Sequence, residues 1–487
     1  MTPKTPDNRC EQVADAPYRP ERDYVLYWMI SARRTRDNFG LQRALEEAAR
    51  LGKPLVVFEA LRIGYRWASE RFHRFVIEGM HDNKAALDGL PGVTYLPYVE
   101  REEGEGKGLL EQLAKRACLV VTDHFPCFFL PRMVSTVAHR LDVRLEVVDS
   151  NTILPLFEAP RIFTTAYSFR RHVHKVVLPY LDEMPISEPL KAISLPHSAL
   201  HLERELEPWK GALGEHALKT PLAALAIDHK VTPTETRGGA KEANRRLDRF
   251  LDQLIDSYSE RNQVERNIAS GLSPYLHFGH ISPHTVLRAL FKREGWRSDK
   301  VAPKPTGSRA GWWNMSEGAE GFIDQVLTWR ELGYTFSHIR WQDYHLYESL
   351  PEWALKTLEE HATDRRPVVY DLEALDKAKT HDMLWNAAQT QLKREGIIHN
   401  YLRMLWAKKI LEWSEHPRVA LDALLELNNR YALDGRNPNS YSSIFWCLGR
   451  FDRAWGPERQ IFGKIRYMSS DNTARKVKVR SYIERYR

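Results

Sequence analysis

Residues 380–455 read THDMLWNAAQTQLKREGIIHNYLRMLWAKKILEWSEHPRVALDALLELNNRYALDGRNPNSYSSIFWCLGRFDRAW, and this stretch decides the fold of the C-terminal half. Its central part repeats apolar residues at helical spacing, so Trp406 and Trp413 are expected on one helix face. Two further helical patterns follow, on either side of a polar turn at 433–439. Periodicity alone favours an ordinary helical core for these tryptophans, and a flat ligand packed against them is the alternative.

The N-terminal part of the chain alternates short apolar runs with segments long enough to form helices. This pattern predicts a five-stranded parallel α/β sheet of Rossmann-like type. The five expected strands are Tyr24–Met29, Leu55–Ala60, Thr94–Val99, Leu119–His124 and Arg144–Asp149. Such sheets bind ligands beyond the carboxyl ends of their strands, which here means near 33–38 and the turn at 123–124.

Changes in composition predict four parts. Residues 1–22 are polar and form a flexible arm, 23–150 form the α/β domain, and 151–235 form a proline-rich connector. Residues 236–487 read as helices joined by short turns, which predicts an all-α domain.

Composition also bounds the class of protein. The chain has 487 residues and a net charge of +7, which suits an anionic partner but is equally common in large proteins without one. Its four cysteines show no disulfide or metal-binding spacing, so we expect a reducing, cytoplasmic location. No apolar run approaches the roughly 18 residues of a membrane span, and we expect neither a membrane anchor nor a secretory signal.

Several local motifs have both a functional and a structural interpretation. The run at 270–273, SGLS, precedes a new helix and could hold an anion such as a pyrophosphate, although helix capping explains it as well. His277, His280 and His284 have helical spacing, but Pro283 interrupts the helix and no carboxylate joins them, so we expect no metal. The glycines at 104–108 lack the spacing of a phosphate loop and predict a surface turn.

Two other stretches could contact nucleic acid. Gln325 and Trp329 lie four residues apart on a predicted helix and could together contact a flat polar ligand such as a base. Arg330 and Glu331 fall on other faces and predict a structural ion pair. The basic tail from residue 469, with Arg475 at its centre, suits a solvated surface, and phosphate contact is the alternative.

Taken together, the motifs resemble those of the photolyase and cryptochrome family, and within it the class II cyclobutane pyrimidine dimer photolyases. The motifs that carry the resemblance are LSPYLHFGHIS at 272–282, KTHDMLWNAAQ at 379–389, YLRMLWAKKILEWS at 401–414, LNNRYALDGRNPNSY at 427–441, DRAWG at 452–456 and GKIRYMS at 463–469. The resemblance covers most of the chain from about residue 24 and is strongest after residue 258.

The resemblance implies an N-terminal antenna domain and a C-terminal helical domain that binds FAD, whose active form is reduced and anionic. It implies that Arg403 and Asp434 form an ion pair beside the flavin ring and that Asn428 faces its N5 atom. The other residues that it implies at the cofactor are Tyr258, Ser270, Gly271, Leu272, Ser273 and Gly435.

For the reaction, the resemblance implies light-driven electron transfer from FAD to a dimer flipped out of UV-damaged DNA. It implies that Trp385, Trp406 and Trp413 relay electrons to the flavin. The residues that it implies at the lesion are Trp329 and Trp446, which grip the dimer, with Gln325, Met404 and Arg261.

One position departs from the class II pattern, because Gln325 stands where relatives carry a glutamate that hydrogen-bonds the lesion. An amide can bond a thymine but cannot donate a proton as an acid can, which predicts a lower repair yield. A cryptochrome-like photoreceptor, and less so a (6-4) photolyase, are the alternatives. The resemblance also implies a monomer and allows a deazaflavin or folate antenna.

Overall fold

The computed structural model describes residues 4–197 and 200–487 and divides the chain into two compact units. Each unit is assembled from three separate segments of sequence. The first unit comprises Met1–Ala159, Val177–Asp248 and Gly271–Lys292, and the second comprises Pro160–Val176, Arg249–Ser270 and Arg293–Arg487.

A six-stranded sheet forms the centre of the first unit. Its strands are β1 Cys10–Gln12, β2 Tyr24–Met29, β3 Leu55–Leu61, β4 Val93–Val99, β5 Ala117–Asp123 and β6 Leu145–Val148. The strand order is β1-β6-β5-β2-β3-β4, and all neighbours are parallel except β1 and β6. The predicted α/β class is confirmed. The predicted number of five strands is wrong, because a sixth strand, β1, lies within the segment that was predicted to be a flexible arm. Its three residues are too few and too polar to show a strand pattern.

Strand β2 shows why this sheet is covered on both faces. All six of its residues are buried. Leu26 and Trp28 pack in one apolar cluster, whereas Val25 and Tyr27 pack in another, as the two-residue period of a strand requires. A strand buried on both faces reads as a continuous apolar run, which is why it was recognisable from sequence.

Ten helices belong wholly or mainly to the described part of the first unit. They are α1 Phe39–Leu51, α2 Glu70–Leu87, α3 Leu109–Ala114, α4 Leu130–Ala138, α6 Pro189–Ala192, α7 Glu203–Leu206, α8 Gly214–Lys219, α9 Ala240–Arg249, α10 Ser273–Phe278 and α11 Pro283–Glu294. Helix α5, Ala166–Asp182, begins in the second unit and ends in the first. This helix of 17 residues lies within the predicted proline-rich connector.

The second unit is helical, which confirms the predicted all-α class of the C-terminal part. Its α-helices are α12 Glu317–Ile323, α13 Arg330–Ile339, α14 Glu352–Glu360, α15 Leu372–Asp376, α16 Met383–Glu395, α17 Asn400–Trp413, α18 Pro417–Tyr431, α19 Pro438–Cys447, α20 Ser470–Lys476 and α21 Arg480–Arg485. A π-helical segment, Asp324–Trp329, joins α12 to α13. Within the described residues no helix combines the length and apolar character needed to cross a membrane.

Local sequence sets the ends of the helices that carry most of the candidate site. Asp382 caps α16 by accepting a hydrogen bond from the backbone N–H of Trp385 at 3.0 Å. Gly396 ends the same helix with φ of +69°, a conformation that favours glycine. Asn437 caps α19, and Pro438 occupies its first turn, where the missing N–H costs nothing.

Candidate active site

Arg403 on α17 and Asp434 in the turn after α18 form an ion pair in the second unit. Two hydrogen bonds of 3.0 and 3.4 Å join the guanidinium to the carboxylate. The two side chains are 19% and 15% exposed, so the pair is neither sealed in the core nor free in solvent. This is the geometry of a cation that can also face a ligand, with Asp434 fixing its orientation.

The turn that carries Asp434 is held against the end of α18. A Cβ atom on Gly435 would lie 2.9 Å from the backbone carbonyl oxygen of Asn428, so this close approach requires glycine. Arg436 has φ of +60°, and its backbone N–H donates to Oδ1 of Asn429 at 2.9 Å. The structure therefore gives Gly435 a role in shaping the turn.

Asn428 is 2% exposed and lies on α18. Its Nδ2 donates to Oγ of Ser440 at 2.8 Å and to Oδ1 of Asn429 at 3.2 Å. Because both N–H groups of the side-chain amide are used, the side-chain oxygen Oδ1 is the group that stays available for a further donor.

Three buried nitrogen atoms near this pair have no hydrogen-bond partner among the described residues. They are Nε of Arg403, Nε2 of Gln389 and Nδ1 of His399. Burial lowers the pKa of His399, which favours its neutral form. Unpaired buried polar atoms are rare in proteins and mark places where a ligand or water completes the bonding. The residues therefore fit a polar, anionic ring system such as the flavin that the family resemblance implies.

The three predicted relay tryptophans are all buried, between 0% and 2% exposed. The rings of Trp385 and Trp413 meet edge-on, with centroids 5.5 Å apart. Nε1 of Trp385 donates to the carbonyl oxygen of Trp406 at 3.0 Å, and Nε1 of Trp406 donates to Oε1 of Gln389 at 2.9 Å. The structure thus brings the three together in the spatial order Trp413, Trp385, Trp406.

Trp406 also lies close to the ion pair along the sequence. Arg403 and Trp406 are three residues apart on α17 and therefore neighbours on the helix surface.

Trp413, at the other end of the series of tryptophans, contacts two residues that the sequence analysis did not identify. The rings of Tyr370 and His381 each lie 5.4 Å from Trp413, and the Tyr370 hydroxyl and Nδ1 of His381 are 2.8 Å apart.

Gln325 and Trp329 lie on the π-helical segment rather than on an α-helix, and both are half-buried. Within the described residues the Gln325 amide makes no hydrogen bond, which leaves it available to a ligand. The neighbouring Asp324 is instead committed to Arg170, with contacts of 2.6 and 3.1 Å. Segments of π-helix are uncommon and often occur at functional sites.

Arg330 and Glu331 form the expected ion pair at 3.2 Å, with both side chains buried.

Trp446, the other predicted lesion residue, is half-buried on α19. Across the described residues, no ring contact joins Trp446 to Trp329. Met404 is half-buried beside Arg403 on α17.

Tyr258 packs among aromatic rings, with Phe250 and Phe322 at centroid distances of 5.4 and 5.6 Å. Burial raises the pKa of its hydroxyl to about 12, so the phenol stays protonated. The Arg261 guanidinium lies 4.9 Å from the centroid of the Tyr258 ring. Tyr258, which the family resemblance implies at the cofactor, therefore contacts Arg261, which the resemblance implies at the lesion.

The predicted phosphate segment crosses from one unit to the other between Ser270 and Gly271. Gly271 has φ of +67°, and a Cβ there would lie 3.1 Å from a guanidinium nitrogen of Arg246. Leu272 is buried and Ser273 exposed. Arg246, which also pairs with Glu242 at 2.8 Å, was not predicted, because it reads as one charge of an amphipathic helix.

The polar groups at the carboxyl ends of the sheet bond to each other. The Asp123 carboxylate accepts hydrogen bonds of 2.8 to 2.9 Å from the backbone N–H groups of Ile30, Ser31 and Ala32. Arg33 pairs with the buried Glu59 at 3.0 Å. These contacts explain the polar residues at 33–38 and 123–124 as stabilisers of the sheet edge.

His277, His280 and His284 are buried in the first unit. Nδ1 of His280 accepts a hydrogen bond from Gly239 at 2.9 Å, and the ring stacks on Phe75 at 5.1 Å. Burial lowers the pKa of His280 to about 3. In the described part of the chain no group of side chains has the composition of a metal site.

The chain matches no profile of a known protein family. Individual relatives are nevertheless similar over nearly their whole length. A deoxyribodipyrimidine photo-lyase of Methanothermobacter thermautotrophicus is 35% identical, covering 95% of this chain and 94% of the relative. Enzymes of that name from Arabidopsis thaliana and Potorous tridactylus are 31% and 30% identical, covering 94% and 96% of this chain and 88% and 82% of the relatives.

Solved structures show the same fold. A bacterial class III photolyase from Agrobacterium tumefaciens has a TM-score of 0.64 at 16% identity, covering 96% of this chain and 86% of that protein. A Synechocystis cryptochrome has a TM-score of 0.69 at 14% identity, covering 97% of this chain and 89% of that protein. At such low identity the likeness concerns the fold alone.

Proposed function

The chain belongs to the photolyase and cryptochrome family, and from this we propose that it is a deoxyribodipyrimidine photolyase of class II, which repairs cyclobutane pyrimidine dimers in DNA with light. Relatives of that name at 30% to 35% identity support the activity. The observation that carries the proposal is α17, which bears Arg403, paired with Asp434, and, three residues further along the same helix, Trp406.

The proposed cofactor is FAD, held beside the Arg403–Asp434 pair. Bound FAD in its reduced form would supply, on absorbing light, the single electron that splits the cyclobutane ring. The Arg403 guanidinium stabilises negative charge on the ring system, and Asp434 keeps it oriented. The Asn428 amide offers its carbonyl oxygen to a ring N–H. Tyr258 and residues 270–273 are the proposed contacts of the rest of the cofactor.

Trp385, Trp406 and Trp413 are the proposed electron donors that return oxidised cofactor to its active state. Their support is the continuous set of contacts from Trp413 through Trp385 to Trp406. The two inner indoles donate their N–H groups to amide oxygens, so their ring planes are fixed. Fixed, buried rings lose little energy to reorganisation when their charge changes.

Trp329 and Trp446 are the proposed grip on the flipped dimer, with Arg261 and Met404 beside it. A dimer stacks and pairs poorly with its neighbours, so extruding it from the duplex costs less than extruding normal bases. The indole faces supply apolar contact area in exchange for the lost stacking. The half-buried state of both rings is what a residue that contacts a transient ligand requires.

Gln325 is the proposed hydrogen-bonding partner of the dimer. Its amide has no partner within the described residues, whereas both carboxylate oxygens of the neighbouring Asp324 accept hydrogen bonds from Arg170. An amide cannot donate a proton to the developing negative charge, so we expect a lower quantum yield without loss of binding. Gln325→Glu should raise the yield, measured as dimers repaired per absorbed photon. Equal yields in the two proteins would refute this role.

The deciding experiment is repair of a defined lesion. The reduced protein is mixed with an oligonucleotide that contains one thymine dimer and exposed to blue light, with a dark sample and a (6-4)-lesion oligonucleotide as controls. Restored thymines only in the illuminated dimer sample support the proposal. Repair of the (6-4) lesion alone would favour the related photolyase, and repair of neither would favour a photoreceptor.

Three further properties belong to the same proposal. We propose that the protein acts as a monomer on UV-damaged DNA in the cytoplasm, with access to the chromosome. A deazaflavin or folate antenna is proposed for the α/β unit, and the absorption spectrum of the purified protein tests the flavin and the antenna together.

A further inference from the structure

Lys408 is a buried cation of the helical unit that has no ion-pair partner among the described residues. It is 1% exposed on α17, and its ammonium group donates to the carbonyl oxygen of Cys447, at the end of α19. Across residues 4–197 and 200–487, no carboxylate lies within ion-pair distance of it. Lysines are almost never fully buried unless paired, because desolvating an ammonium group is costly.

The position of this cation relative to one ring suggests its purpose. Its Nζ lies 5.8 Å from the centroid of Trp446, and the Cζ atom of Arg466 lies 5.7 Å from the same ring. Two positive groups therefore lie over the indole proposed to touch the lesion. Removing an electron from that indole would place a third positive charge between them, which Coulomb repulsion opposes.

The relay tryptophans have a different electrostatic environment. Trp413 has Lys409 over its ring at 5.4 Å, but Glu412 and Asp382 lie 2.8 and 3.9 Å from that ammonium group and offset its charge. In the described residues, no cation lies over the rings of Trp385 and Trp406. Lys408 and Arg466 form no ion pair within the described residues, and only the more distant charge of Asp452 acts on Lys408, so the positive charge at Trp446 is offset less than that at Trp413.

We propose that Lys408, together with Arg466, prevents Trp446 from giving up an electron, so that electron donation is confined to Trp385, Trp406 and Trp413. The inference rests on the proposed function, because only a photolyase needs one indole to contact the lesion while other indoles donate electrons. A lesion-contacting indole close to the cofactor would otherwise compete as a donor. Lys408 thus acts through Trp446 and needs no contact with substrate.

The charged and titratable groups around Lys408 set how its effect depends on pH. They are the Cys447 thiol, the Asp452 carboxylate and the Arg466 guanidinium. Burial lowers the pKa of Lys408 to about 8 and raises that of Cys447 to about 11. Lys408 therefore loses its charge between neutral pH and pH 10, and protection of Trp446 should weaken over that interval.

The test measures one-electron oxidation of individual tryptophans in the full-length protein, in the dark and without DNA. Carbonate radical generated by pulse radiolysis, which needs no light, is the oxidant, and peptide mass spectrometry gives the oxidised fraction at each position. Lys408→Met should raise oxidation at Trp446 about tenfold relative to the exposed Trp341, because a unit charge at this distance shifts such an equilibrium by a decade or more.

Lys408→Arg, which keeps the charge, should restore protection, and Lys409→Met is the matched control that should leave Trp446 unchanged. If Lys408→Met does not fold, the native protein oxidised at pH 7 and pH 10 gives the same comparison. Equal oxidation of Trp446 in native and Lys408→Met protein, or no change with pH, would overturn the proposal. Repair is not part of this readout, so its outcome is separable from that of the proposed function.

Discussion

The buried ion pair between Arg170 and Asp324 allows a quantitative prediction about the segment that presents Gln325. Both side chains are less than 10% exposed, at 5% and 8%, and the guanidinium donates to both carboxylate oxygens. Asp324→Asn keeps the shape but leaves a buried guanidinium without its counter-charge. Removing one partner of a buried pair costs about 3–5 kcal/mol, a large part of a typical total of roughly 5–15 kcal/mol.

The assay is equilibrium unfolding in urea, followed by tryptophan fluorescence. Asp324→Asn should lose about 3–5 kcal/mol of the free energy of unfolding, and the double variant Arg170→Met with Asp324→Asn should recover much of that loss, because no unpaired charge remains. Glu484→Gln is the matched control, since its pair with Arg480 is 91% and 65% exposed and should contribute no more than about 1 kcal/mol. A loss below about 1 kcal/mol in Asp324→Asn would refute the reasoning.

Three further predictions concern electron supply, DNA contact and pH. Trp406→Phe should block photoreduction of oxidised cofactor, followed by absorption under blue light, while chemically reduced protein still repairs; normal photoreduction would contradict the relay. Charge reversal at the exposed Arg475 and Lys476 should weaken binding to undamaged DNA and reduce the salt slope by about 0.9 per lost phosphate contact, whereas an unchanged slope would favour a solvated surface. Lys408→Met should be more stable than native protein by about 3 kcal/mol below pH 8, because the pKa falls from 10.5 to about 8 on folding. That gap should close as the pH rises towards 10.5, where the folded and unfolded lysines are both neutral; a gap independent of pH in urea titrations would exclude this origin.

The elements that sequence predicted well are those whose signal is local. Strands such as β2 are unbroken apolar runs, and their bounds were found to within two residues. Helices α16 and α19 begin at capping side chains that can be read directly from the sequence. The short strand β1 was missed because its pairing with β6 comes from a partner more than 130 residues away in sequence.

The site shows the same limit. The types of residue at the ion pair and the relay were legible in motifs, but their partners come from distant segments. Arg170 lies 154 residues from Asp324, and no pattern at either position indicates the other. Lys408 and Lys409 look alike in sequence, yet one is fully buried and the other is ion-paired. Helix α17 is buried on nearly every side, so amphipathic periodicity could not separate them.

The interleaved composition of the two compact units has a consequence for how the chain can be divided. Because each unit uses three segments, the polypeptide passes from one unit to the other five times, the last time after Lys292. During synthesis the α/β unit therefore lacks the segment Gly271–Lys292 until well over half of the chain has been made. A cut near residue 235 would leave each product without part of its own core. The two units should therefore be studied in the full-length chain by substitution rather than as separate fragments.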